Sequence, residues 1–100
     1  MTAGDPTPFA EAVLDAVARI PRGRVMSYGD VAEYVGAGGP RAVGTVLARW
    51  GSGVPWHRVV TADGRPNPSD PDRARALLRS EHVAFRRERV EMSAARWNGR

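Results

Sequence analysis

Apolar residues recur at helical spacing from Phe9 onward: Val13, Val17 and Ile20 share one stripe, with Leu14 and Ala16 beside them. That pattern predicts an amphipathic helix. Thr7 is a capping residue, and Pro8 suits a first helical turn. Pro21-Arg22-Gly23 stops the helix. Arg24-Val25-Met26 reads as a short extended piece. Ser27, with Asp30 three residues on, makes a capping box. The helix it opens carries Val31, Ala32, Tyr34 and Val35 and ends at Gly36. After Ala37-Gly38-Gly39, Pro40 opens a third helix from Arg41 to about Trp50. Val43, Val46, Leu47 and Trp50 form its buried stripe, while Arg41, Ala42, Thr45, Ala48 and Arg49 lie toward the other side. Two short helices joined by a glycine turn are helix-turn-helix order, the second being the recognition helix.

Downstream, Val59-Val60-Thr61 reads as a strand, and Ala62-Asp63-Gly64-Arg65 supplies an Asp-Gly turn of the hairpin type. Arg65 to Ser69 contains two prolines and is loop. Ser69-Asp70-Pro71-Asp72 caps a fourth helix that carries Ala74, Leu77 and Leu78 and ends near Glu81. The tail, Val83 to Trp97, alternates Val83/Phe85 and Val90/Met92, as short strands or an irregular segment would. The expected fold is mostly α with a small β hairpin, a winged-helix-like helix-turn-helix DNA-binding domain. Residues 1–8 are expected to be a flexible lead-in, and residues 9–100 a single domain.

Composition narrows the chemistry. A chain of 100 residues buries about two thirds of its unfolded surface, enough for one modest core. There is no cysteine, which excludes disulfides, thiolate metal sites and thiol nucleophiles. No cysteine or spaced histidine pair supports a metal role for His57 or His82, and no cofactor is implied. All 15 basic residues are arginine, against 11 acidic ones, a net charge of +4. That balance favours a polyanionic partner. Arg86, Arg87 and Arg89 read by default as a solvated face, with phosphate contact as the alternative. No apolar run approaches the roughly 20 residues that span a bilayer, so no membrane partner is expected. The polar start, Met1–Pro8, lacks the pattern of a signal peptide. A cytoplasmic location, nucleoid-associated when DNA-bound, is expected.

Val54-Pro55-Trp56-His57-Arg58-Val59-Val60 resembles the active-site motif of O6-alkylguanine-DNA alkyltransferases, Pro-Cys-His-Arg-Val, with tryptophan in place of the reactive cysteine. That replacement is the mark of the alkyltransferase-like proteins. Further blocks resemble the family in the same order. They are Ile20-Pro21-Arg22-Gly23-Arg24-Val25 followed by Ser27-Tyr28-Gly29-Asp30, then Arg41-Ala42-Val43-Gly44, then Leu77-Leu78 with Glu81, then Val90-Glu91-Met92 with Trp97. Together they cover roughly residues 9–97.

The resemblance implies a domain that enters the minor groove of double-stranded DNA and rotates an O6-alkylguanine out of the stack. Arg41 matches the arginine that fills the vacated space, and Tyr28 the tyrosine that crowds the 3′ phosphate. Ala42 and Thr45 belong to the small-residue face that a narrow groove admits. Val54, Pro55, Trp56 and Ser69 are expected around the lesion. His57 and Glu81 match the pair that activates the thiol in the enzymes. Indole offers one N–H donor and no usable nucleophile, so the pair is expected to survive as a structural hydrogen bond and the chain to have no catalytic residue. Some relatives cover the flipped base with a loop arginine; Arg65 or Arg73 would be the substitutes here. Where the enzymes carry an asparagine at the end of the recognition helix, this chain has Trp50. A non-enzymatic lesion sensor, a monomer that hands O6-alkylguanine to nucleotide excision repair proteins, is the expected function. The alternative is an ordinary winged-helix regulator that reads DNA sequence. Against it, the recognition helix shows no Asn or Gln for base edges.

Overall fold

The computed structural model describes residues 4–100; Met1–Ala3, part of the expected lead-in, lie outside the described residues. Helix α1 spans Pro8–Ala18. The Thr7 hydroxyl accepts from the Ala10 amide at 3.1 Å, and the stripe Ala10, Val13, Ala16 and Val17 is buried. Strand β1, Met26–Ser27, leads directly into α2, Tyr28–Val35. The Ser27–Asp30 capping box closes in both directions: the Ser27 hydroxyl accepts from the Asp30 amide at 3.0 Å, and the Asp30 carboxylate from the Ser27 amide at 3.1 Å. Gly36 ends α2 in the left-handed region, with φ 84°.

Helix α3 spans Pro40–Trp50. In the turn before it, Gly38 has φ +69°, and a Cβ there would stand 2.7 Å from the Phe9 ring. Glycine is therefore what lets α1 close against the helix-turn-helix. Val43, Val46 and Leu47 are buried as expected. Trp50 is only half-buried; its indole N–H donates to the Gly4 carbonyl, and the Arg49 guanidinium lies over its ring at 4.9 Å.

Strand β2, Val59–Val60, pairs in parallel with β1, with Met26 opposite Val59 and Ser27 opposite Val60. This corrects one expectation. The Ala62-Asp63-Gly64-Arg65 turn does not fold β2 back into a hairpin. It closes on itself, with the Gly64 amide on the Thr61 carbonyl at 2.9 Å and the Thr61 amide on the Arg65 carbonyl at 3.1 Å. β2 already has a partner in β1, so the chain runs on into the proline loop. Helix α4, Pro71–Ser80, follows, capped by Asp70. The hairpin comes after it, as β3, Phe85–Arg86, and β4, Arg89–Val90. One helical turn, α5, Met92–Ala95, closes the tail, and Val25 forms a parallel bridge with Arg96.

Neighbouring residues of a strand face opposite ways, and β2 uses this to divide two cores. Val59 joins a cluster with Met26 of β1, Ile20 just after α1, and Val13, Val17, Val31, Val43 and Leu47 from α1, α2 and α3. Val60 joins a second with Val25, just before β1, and Leu78, Val83, Val90 and Ala95 from α4 and the tail. The motif that follows the recognition helix therefore sits on the seam between them.

Candidate nucleic-acid interface

Tyr28 is the first residue of α2, so the capping box at Ser27 sets where its ring emerges. Burial raises its phenol above the ordinary value. On α3, Arg41, Thr45 and Ala48 are exposed on the face opposite the buried stripe. The Thr45 hydroxyl is turned back onto the Arg41 carbonyl at 3.1 Å. Gly44 lies beside Tyr28, where a Cβ would meet the ring at 3.7 Å. Helix α3 then tightens into a 3-10 turn at Gly51–Gly53, and a second one at Trp56–Arg58 follows Val54 and Pro55.

These segments and the proline loop surround an open cavity of about 940 Å³. Tyr28, Arg41, Thr45, Trp56 and Ser69 all line it, together with Gly44, Ala48 and Asn67. Ala42, Val54 and Pro55 do not. Ala42 lies by the Gly38 turn, and Val54 packs against the edge of the first core. Neither Arg65 nor Arg73 lines the cavity; Arg65 pairs with Asp63 at 3.3 Å.

Behind Trp56, the ring of His57 stands edge-on to the indole with centroids 6.0 Å apart. His57 Nε2 lies 2.8 Å from Glu81 Oε2. Burial alone would raise Glu81, but hydrogen bonds from Arg58 and then His57 outweigh it and hold the carboxyl at about 2. An ionised carboxylate only accepts, so Nε2 carries the proton. Both residues are buried.

Two further residues organise the site. Arg58 donates from Nε and Nη2 to the two Glu81 oxygens, each at 2.9 Å, and from Nη1 to the Ile20 carbonyl at 2.9 Å. It ties the Trp56–Arg58 turn to α4 and to the end of α1 in one planar fork. Asn67, only 3 % exposed, donates to the Trp56 carbonyl at 3.3 Å and accepts from the Ser69 amide and hydroxyl at 3.1 and 2.8 Å. It joins two walls of the cavity. The sequence signal for Asn67 was its place between Pro66 and Pro68, an Asx-turn setting.

The model of the family described as "6-O-methylguanine DNA methyltransferase, DNA binding domain" matches residues 8–83. The chain belongs to this family. Among methyltransferase-family relatives, it is 42% identical over 98 residues to the DNA base-flipping protein of Escherichia coli, covering 90% of this chain and 74% of that one. Its fold matches that of Schizosaccharomyces pombe Atl1, solved in complex with damaged DNA containing O6-carboxymethylguanine. That match has a TM-score of 0.78 and 31% identity and covers 89% of this chain and 94% of that chain. Mycobacterium tuberculosis O6-methylguanine methyltransferase matches at TM-score 0.65 and 38% identity, over 77% of this chain but only 50% of that one. The mostly helical fold with small sheets is thus that of the methyltransferase-family DNA-binding domain, and the chain resembles its alkyltransferase-like branch.

Proposed function

We propose that this protein is a sensor of O6-alkylguanine in double-stranded DNA that binds the lesion without repairing it. The observation that carries the reading is a single cavity lined by Tyr28, Arg41 and Thr45 of the helix-turn-helix and by Trp56 of the Pro-Trp-His-Arg-Val motif. One side of it is the small-residue face that a minor groove admits; the other is an aromatic surface against which a rotated base stacks. Extruding a nucleotide costs a few kcal/mol, and stacking on one aromatic returns roughly 1–3 kcal/mol. Arg41, inserted into the vacated stack, and phosphate contacts supply the rest. His57 and Glu81 hold the motif's backbone in place. With no cysteine in the chain, no thiol accepts the alkyl group, and the marked site passes to nucleotide excision repair proteins.

The test is competition binding to matched duplexes, one with guanine and one with O6-methylguanine. The expected result is a clear preference for the methylated duplex, weakened by Trp56→Ala and by Arg41→Ala, with the methyl group still on the DNA afterwards. Equal affinity for the two duplexes would overturn the reading, and loss of the methyl group would make the protein an enzyme.

A further inference from the structure

The β3–β4 hairpin contradicts a local rule. Arg86 and Arg89 stand directly opposite each other across the two strands, where like charges destabilise a ladder. The next residue, Arg87, begins the two-residue turn with Glu88 and takes the positive φ, 60°, that so tight a hairpin loop requires. Nearby carboxylates relieve this in part. Asp63 lies 3.4 Å from Arg89 but also serves Arg65, and Glu88 reaches back to Arg75 at 3.5 Å. Arg86 and Arg87 are exposed at the tip. The turn accounts for the backbone at Arg87 but not for the facing arginines; an external anion between them would resolve the repulsion.

The hairpin is also fixed beside the cavity. The Val90 amide donates to the Gly64 carbonyl at 2.8 Å, and Gly64 has no room for a Cβ, which would fall 2.5 Å from the Val90 oxygen. The turn that β4 grips begins with Thr61 and Ala62, both of which line the cavity. From Val90 to the turn at Arg87-Glu88 the hairpin extends about two residues, about 7 Å of strand. That corresponds to about two base-pair rises of duplex.

We propose that this hairpin is a second nucleic-acid contact, in which Arg86 and Arg87 grip backbone phosphates of the duplex beyond the nucleotide held at the cavity. The inference rests on the DNA-binding reading above and adds an anchor that is indifferent to the lesion. Such an anchor raises affinity for damaged and undamaged duplex alike and leaves the preference between them untouched.

The experiment is a salt series of anisotropy titrations on an unmodified duplex and on one carrying O6-methylguanine. It compares the natural chain with an Arg86→Ala/Arg87→Gly double variant. Glycine suits the left-handed backbone at this tip, so the variant keeps its fold, which circular dichroism checks. A second double variant, Arg19→Ala/Arg100→Ala, removes the same charge elsewhere. The expected result is weaker binding to both duplexes and a slope of log affinity against log salt shallower by about 0.9 for each phosphate that is no longer neutralised. The methylated-to-unmodified affinity ratio should stay unchanged, and the control variant should move the slope far less. An unchanged slope, or an equal change in the control, overturns the proposed role of the hairpin. Equal affinity of the natural chain for the two duplexes overturns the lesion reading while the slope still decides the hairpin; no binding to either duplex overturns both.

Discussion

Arg58 commits its whole guanidinium to the fold, two nitrogens to Glu81 and one to the Ile20 carbonyl. The consequence appears in acid. Glu81 sits at about 2 against an ordinary 4.5, so its contribution to stability is complete above pH 4.5 and is lost as pH falls toward 2. Asp30, which burial would raise but which hydrogen bonds from Arg96 and the Ser27 amide lower, acts in the same direction. Glu81→Gln should flatten the pH dependence of unfolding between those values. At neutral pH it should lower the melting temperature by roughly 10–20 °C, since breaking a buried ion pair costs about 3 kcal/mol. Urea unfolding across pH 2–7 checks both; a variant with the same acid limb as the natural chain would exclude the cluster as the cause. Tyr28, Arg41 and Trp56, singled out by ordered motif blocks, line one cavity with Thr45 and Ser69. The roles of Arg58 and Asn67 are harder to see, because the bonds of Arg58 to Glu81 and the Ile20 carbonyl, and of Asn67 to the Trp56 carbonyl, leave no period in the sequence.

At the scale of elements, helices announced themselves through their ends: Thr7, the Ser27–Asp30 box, Pro40 and Asp70 all mark true starts. Strands did not. A parallel pair joins residues far apart in the chain and has no turn to betray it, so the Asp-Gly turn beside β2 suggests a hairpin where the true partner is β1. That turn has a different use, as the dock for β4. Gly64→Ala should therefore be destabilising by roughly 2 kcal/mol, because it adds a strained left-handed alanine and a collision with backbone. Hydrogen exchange is the measurement: the Val90 amide should lose protection well before the amides of α1. Equal protection in the variant and the natural chain would mean that the hairpin stays docked without the glycine.

Across the whole molecule, two hydrophobic clusters share one wall. Val59 faces the first and Val60 the second, and both are fully buried. Their strand pairs with β1, which continues into the capping box and Tyr28. Damage to one cluster should thus be felt by the other. Val60→Ala, a cavity of about two methyl groups, should cost about 2 kcal/mol and still unfold in a single transition. Far- and near-ultraviolet circular dichroism should give coincident melting curves; two midpoints would show the clusters to be independent. Composition implies one modest core, but the division of the interior depends on alternation over two residues, too short to read as a pattern.

On the lesion-sensor reading, the indole that lines the cavity stands where an alkyl-accepting thiol would be, and that changes the arithmetic of supply. A protein that accepts a group covalently is consumed, one molecule for each site, and its stock must match the number of events. On the reading proposed above, Trp56 holds its guest by stacking alone, and the guest leaves when the contacts break. The same molecule then visits many sites in succession. The cell's requirement is set by dissociation constant and residence time, not by how many lesions have already been met.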